Sequence, residues 1–218
     1  MKKITVVTGH YGSGKTNLSV NLAVDANNKG KSVAVVDLDL VNPYFRTADF
    51  KYYFESIGVK LIAPDFANSN LDVPSIQFDI EQLAMNEDCL IIDVGGDDAG
   101  AFALGRFADT LSRYRDDMDM LYVINQRRYL TETAADAVKL MYEIESASRM
   151  KHTAVVNNTN LGRETTAEII TKSADFARKV SQITGLPLAF TTCPYEICEL
   201  IDIPDILPVN VFVKALWD

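Results

Sequence analysis

The chain has 218 residues, 48% hydrophobic and 23% charged, with 30 acidic against 21 basic side chains and a formal charge of −9. That composition excludes wholesale disorder, and no apolar run approaches the roughly 18 residues of a spanning helix, which argues against a transmembrane protein. The acidic balance argues against sequence-independent binding to nucleic acid or anionic lipid.

In chain order, the first apolar run is Ile4–Thr8 (ITVVT), short and β-branched. It breaks at Gly9, too early for a secretory signal, so the expected location is cytoplasmic. A helical pattern follows over Thr16–Asn28, with Leu18 and Leu22 at helical spacing. Val33–Val36 predicts the next strand and ends in Asp37. A helix is expected over 44–56, then a strand at Val59–Ala63, a long surface loop at Pro64–Pro74, a helix over 75–86 and a strand at Leu90–Val94. Met120–Ile124, Thr153–Val156 and Leu188–Thr191 read as strands, with amphipathic helices at Thr131–Arg149 and Thr165–Thr184 between them. Gly185 and Pro187 stop the second helix. Runs that are apolar throughout suit strands buried on both faces. The alternation predicts an α/β fold, a mainly parallel sheet with helices on both faces, in one domain over residues 1–218. Cys89, Cys193 and Cys198 are too few for a disulfide framework and match no zinc pattern.

Residues 9–16 read GHYGSGKT, the phosphate-loop pattern, between a strand and a helix. Gly9, Gly12 and Gly14 let the backbone turn its amides toward phosphate oxygens, and the helix that follows points its positive end the same way. Lys15 supplies a point charge for the β- and γ-phosphates, and Thr16 a hydroxyl for Mg²⁺. The expected nucleotide contacts are Gly9, Gly12, Ser13, Gly14, Lys15, Thr16 and Asn17. Asp93 ends the buried run Leu90-Ile91-Ile92, where a carboxylate holds Mg²⁺ directly or through water; a cap or turn aspartate is the plainer alternative. Asp93-Val94-Gly95-Gly96 places the Gly96 amide where it can bond a γ-phosphate. Asp37 and Asp39 lie at the end of the second strand, the edge where such sheets bind ligands, and one of them is a candidate to orient the attacking water.

GHYGSGKT at 9–16, DLD at 37–39, IIDVGG at 91–96 and VVNNTN at 155–160 together resemble the deviant-Walker ATPases of the MinD/ParA and nitrogenase-iron-protein superfamily. VDLDLVNPYFRT is similar to its bacterial CobQ/CobB/MinD/ParA branch. The resemblance implies a three-layer P-loop NTPase fold that uses ATP and Mg²⁺. It implies Asp39 as the water-activating carboxylate, close to the metal with Thr16 and Asp93, and Lys15 as the catalytic lysine. It implies Asn157, or its neighbour Asn158, as the reader of the adenine amino edge. His10 stands where the family carries a signature lysine that crosses a nucleotide-sandwich homodimer to the partner's phosphates. A neutral histidine supplies no permanent charge, so the resemblance does not extend to an ATP-driven dimer.

Other side chains decide less. Arg46 in NPYFRT reads equally as an arginine finger or a solvated loop residue. Arg127 and Arg128 follow the fifth strand and read as solvated charges or as holders of an anionic ligand. Tyr44, Phe45, Phe50, Tyr52, Tyr53 and Phe54 read as the apolar face of a helix. The tail Val209–Trp217 lacks the basic amphipathic pattern of a membrane anchor. Two functions fit. One is a slow Mg-ATPase whose ATP and ADP states differ in affinity for a protein partner. The other is a P-loop synthetase or kinase-like enzyme that uses ATP to activate a small acid. The short chain, with no glutaminase segment to supply ammonia, favours the switch.

Overall fold

The computed structural model describes residues 1–39, 46–63 and 78–213. The expected loop at Pro64–Pro74, Tyr44 and Phe45, and the tail beyond 213 lie outside the described residues. The strands are β1 (Ile4–Gly9), β2 (Val33–Leu38), β3 (Lys60–Ile62), β4 (Cys89–Val94), β5 (Met118–Ile124), β6 (Ala154–Asn157), β7 (Leu188–Pro194) and β8 (Ile206–Val209). The helices are α1 (Lys15–Asn28), α2 (Lys51–Ile57), α3 (Ile80–Asn86), α4 (Asp98–Gly105), α5 (Ala108–Ser112), α6 (Ala134–Ser148) and α7 (Ala167–Thr184).

The strands form one sheet in the order β3-β2-β4-β1-β5-β6-β7-β8, and every pairing is parallel. From β1 the chain builds leftward through β2 and β3; from β4 it builds rightward through β5 to β8. The loop after β1 therefore sits at the point where strand order reverses, the crevice in which doubly wound sheets hold ligands.

Pleating sends successive strand residues to opposite faces. Val6, Val36 and Ile92 face α3, α4 and α5 through Leu83, Leu104 and Leu111. Val7, Val35 and Ile91 face α1 and α2 through Leu18, Leu22 and Phe54. Tyr122, Ile124 and Val155 pack under α6 and α7 on Met141, Phe176 and Val180. The result is three layers. Both faces are covered, which is why the strands read as unbroken apolar runs.

Helix boundaries follow capping chemistry. Thr133 caps α6 by accepting from Asp136 N, so this helix begins at Ala134 and the preceding Tyr129–Thr131 forms a 3₁₀ turn. Thr166 caps α7 through Ile169 N, and Gly185, at φ 71°, ends it. Asp79 caps α3 by accepting from Glu81 N and Gln82 N. The helix expected over 44–56 is a 3₁₀ turn at Thr47–Phe50 followed by α2. Its aromatic face divides. Phe54 is fully buried, Phe50 and Tyr53 pack around the Phe212 ring, and Tyr52 is exposed. No helix among the described residues is long and apolar enough to cross a membrane.

A buried polar chain crosses the core below β1. Thr8 Oγ1 lies 2.7 Å from His152 Nε2, and His152 Nδ1 lies 3.1 Å from Glu145 Oε1. Lys151 Nζ donates to Glu145 Oε2 at 2.6 Å. Burial pushes the Glu145 carboxyl up, but bonds from His152 and Lys151 outweigh it and hold the group down at about 2. A depressed carboxyl pKa gives stability that is fully present above the unfolded value and is lost as pH falls toward the folded one. Urea unfolding should therefore show wild type losing its advantage over Glu145→Gln between about pH 4.5 and pH 2–3. A constant gap between the two proteins across that window would refute the linkage.

Candidate nucleotide site

Gly9 ends β1 so close to β5 that a Cβ there would stand 2.3 Å from the Val123 carbonyl oxygen. Ser13 N then donates to His10 O at 3.1 Å, closing the turn. Gly14, at φ 89° in the left-handed region, redirects the chain into α1. The first amides of a helix have no partners within it, so the α1 terminus presents N–H groups and a positive dipole end at the loop. Ser13 Oγ is buried and has no hydrogen-bond partner among the described residues, a hydroxyl suited to an anionic acceptor.

Lys15 is buried and donates to His10 O at 3.2 Å. Burial pushes its amine below the ordinary lysine range, while Asp93, Asp39 and Asp97 oppose that shift. Those three carboxylates are thus close enough to the ammonium to act on it.

Asp93 is held by three hydroxyls. Its Oδ2 accepts from Thr16 Oγ1 at 2.9 Å and from Thr47 Oγ1 at 2.5 Å, and its Oδ1 accepts from Ser19 Oγ at 3.1 Å. Burial raises its carboxyl above the usual range against the pull of these bonds and of Lys15. No group of three or more His, Cys, Asp or Glu side chains suited to a metal comes together among the described residues. Magnesium does not need such a cage: one hydroxyl, one carboxylate, phosphate oxygens and water make its usual shell. Thr16 with Asp93 behind it fits that donor set.

The two aspartates of DLD have different surroundings. Asp37 is fully buried, in register with Asp93 across the β2–β4 pair. Its Oδ1 accepts from Asp39 N at 2.9 Å, and its Oδ2 accepts from Ala48 N at 3.0 Å with Arg46 Nε at 3.5 Å. Burial and the neighbouring Asp93 push the Asp37 carboxyl up to about 7, against Arg46 and the two amides. Asp39, just past the strand, is half-buried beside Gly95, where an added Cβ would stand 3.2 Å from Asp39 Oδ1. Next to it, Gly96 lies under the phosphate loop; an added Cβ would meet Tyr11 N at 2.6 Å and Lys15 Nζ at 2.7 Å. Asp97 caps α4 by accepting from Gly100 N at 2.9 Å.

Several expected contacts are placed differently. Asn157 is fully buried: its amide nitrogen donates to Ser173 Oγ at 2.8 Å, and its oxygen accepts from Thr159 Oγ1 at 2.8 Å. Both ends of that amide are spent inside the fold, so the geometry does not offer Asn157 to a base. Asn158 donates to Ser13 O at 2.6 Å and accepts from Thr192 Oγ1, tying the phosphate loop to β7. The Asn17 side chain donates to Asn210 O at 3.0 Å and accepts from Phe212 N at 2.8 Å, which leaves its backbone amide for phosphate. Arg46 is buried beside Asp37 instead of being solvated. Arg127 lines a groove of about 640 Å³ with Gln126, Glu132, Leu161 and Lys172. Arg128 Nε donates to Gly12 O at 2.8 Å. Sequence reasoning did not find the contacts of Thr47, Ser19 and Thr192, because no local pattern marks them.

Solved structures show the same fold. FtsY of Thermotoga maritima superposes with a TM-score of 0.60 at 19% identity, over 88% of this chain and 62% of that one. FtsY of Mycoplasma mycoides gives 0.59 at 16%, over 88% and 61%. The signal recognition particle 54 kDa protein of Aeropyrum pernix, in complex with GDP, gives 0.54 at 17%, over 87% and 41%. The chain thus spans less than two thirds of the length of each of these proteins. No sequence among the curated proteins matches it significantly. Residues 4–166, most of the chain, match the CobQ/CobB/MinD/ParA nucleotide binding domain, and the chain belongs to that family.

Proposed function

We propose that the protein is a Mg-ATP-binding switch with slow hydrolysis, folded as one domain over residues 1–218. The observation that carries this reading is the contact of Gly96 with Tyr11 and Lys15, next to the packing of Asp39 on Gly95. A γ-phosphate bonded to Lys15 and the loop would press on the segment that also positions Asp39, so its loss would be felt there. Lys15 and the loop amides bind and orient the triphosphate; Thr16, backed by Asp93, holds Mg²⁺, which bridges phosphate oxygens and offsets their charge. A synthetase needs cations that converge on the γ-phosphate and an acid substrate. Here Arg46 pairs with Asp37, Arg128 bonds Gly12 O and Arg127 lines a separate groove.

Lys15→Ala should weaken Mg-ATP binding about ten- to a hundredfold, the worth of a charge-assisted contact at roughly 1.5–3 kcal/mol. Equal affinities in calorimetry would sink the proposal.

Adenine is the expected base. The related solved structures include GDP complexes. Guanine recognition calls for an acceptor facing its N1 and N2 hydrogens, the part a carboxylate plays well. The stretch after β6, Asn158-Thr159-Asn160-Leu161-Gly162-Arg163, contains no carboxylate. In competition against a fluorescent nucleotide analogue, ATP should displace at lower concentration than GTP; the reverse order would overturn the assignment.

A further inference from the structure

We propose that Arg128 is a phosphate-binding residue, its guanidinium laid on the phosphate loop from the β5–α6 connection as a second permanent positive charge beside Lys15. The inference rests on the reading of this loop as a nucleotide site.

The position of the side chain is fixed. Arg128 Nε donates to Gly12 O at 2.8 Å, across a sequence separation of 116 residues. A Cβ on Gly12 would stand 3.2 Å from Nε and 3.3 Å from Cζ, so the guanidinium lies directly over the loop backbone. The turn that carries it is bonded at both ends: Arg128 N donates to Asn125 O at 3.2 Å, and Arg128 O accepts from Thr131 N at 2.9 Å. Its charge is felt locally. Burial first, then Lys15 and Arg128, hold the His10 imidazole below its usual range, so a guanidinium and an ammonium flank one neutral ring.

The chemistry of the site needs such a cation. Lys15 is surrounded by Asp93, Asp39 and Asp97, which offset its charge before any phosphate arrives. A triphosphate adds several more negative charges. Arg128 makes no ion pair with a carboxylate among the described residues. A guanidinium has five N–H donors in a fixed fork; with Nε bonded to Gly12 O, the terminal nitrogens keep theirs for phosphate oxygens. The carbonyl contact preorganises the fork, so little side-chain freedom is lost on binding.

The test is calorimetric titration of the full chain with inorganic tripolyphosphate, which removes the base from the measurement. Arg128→Gln keeps an amide donor for Gly12 O and removes the charge; Arg128→Lys keeps the charge. Arg128→Gln should weaken tripolyphosphate about ten- to a hundredfold, and Arg128→Lys should recover part of that loss. The deficit of Arg128→Gln should shrink between about 0.05 and 0.5 M salt, as a charge contact is screened. Tripolyphosphate affinity unchanged in Arg128→Gln, or a deficit that is the same at both salt concentrations, would overturn the inference and leave the ATP-switch reading intact. Conversely, a wild type that binds tripolyphosphate through Arg128 yet prefers GTP supports this inference while the adenine assignment fails.

Discussion

Gly96→Ala should abolish useful triphosphate binding while the sheet stays folded. The methyl group would arrive 2.6 Å from Tyr11 N, 2.7 Å from Tyr11 Cα and 2.7 Å from Lys15 Nζ. The lysine is the end of a flexible chain and can swing away, though only by leaving its place in the site. Tyr11 is backbone of the phosphate loop and cannot yield without moving the amides on either side of it. Overpacking of this kind costs about 1–3 kcal/mol, and here the strain falls on the loop, because Gly96 lies beyond the end of β4. We expect a loss of about a hundredfold or more in Mg-ATP affinity, or ~2.7 kcal/mol. The thermal midpoint should drop by only a few degrees. Binding within about threefold of wild type would show that the contact between Gly96 and the loop does not govern the site.

The loop itself was legible because its information is local. GHYGSGKT between an apolar run and a helical pattern fixes the turn, and the unbroken run Leu90-Ile91-Ile92 identifies a strand with both faces covered. Elements whose identity depends on distant partners were not legible. β8 contains Pro208 and reads as loop; it survives as an edge strand, with only β7 as neighbour. The stretch DDAGAFALG reads as a turn from its glycines, yet forms α4. Gly100 packs so tightly on Gly95 that a Cβ would stand 2.5 Å from the Gly95 carbonyl oxygen. Asn157 shows the limit most clearly. Its place at the end of β6 is readable, but its burial is decided by Ser173 on α7 and by Thr159, which no spacing around VVNNTN reveals. The same holds for Arg128 on Gly12 and Thr47 on Asp93, contacts made across 116 and 46 residues of chain.

Asp39→Ala should keep Mg-ATP binding and lose most of the turnover. Three carboxylates near the loop could orient the attacking water, and their surroundings separate them. Asp37 is buried, with its oxygens bonded to Asp39 N, Ala48 N and Arg46. Asp97 is committed to Gly100 N as the cap of α4. Asp39 is half-buried, acts on the Lys15 ammonium and packs on Gly95, one residue from the Gly96 contact. It needs no unusual basicity, because phosphoryl transfer passes through a loose transition state in which positioning dominates. Removing a positioned group of this kind costs about 10²–10³ in rate. Asp93→Ala should behave differently. It strips the partner from Thr16, Ser19 and Thr47 at once, so Mg²⁺-dependent binding falls with turnover. Single-turnover hydrolysis at saturating ATP, read beside calorimetric affinity, distinguishes the two. If Asp39→Ala hydrolyses at the wild-type rate, the water is held elsewhere. If it loses affinity as steeply as Asp93→Ala, Asp39 belongs to the metal shell instead.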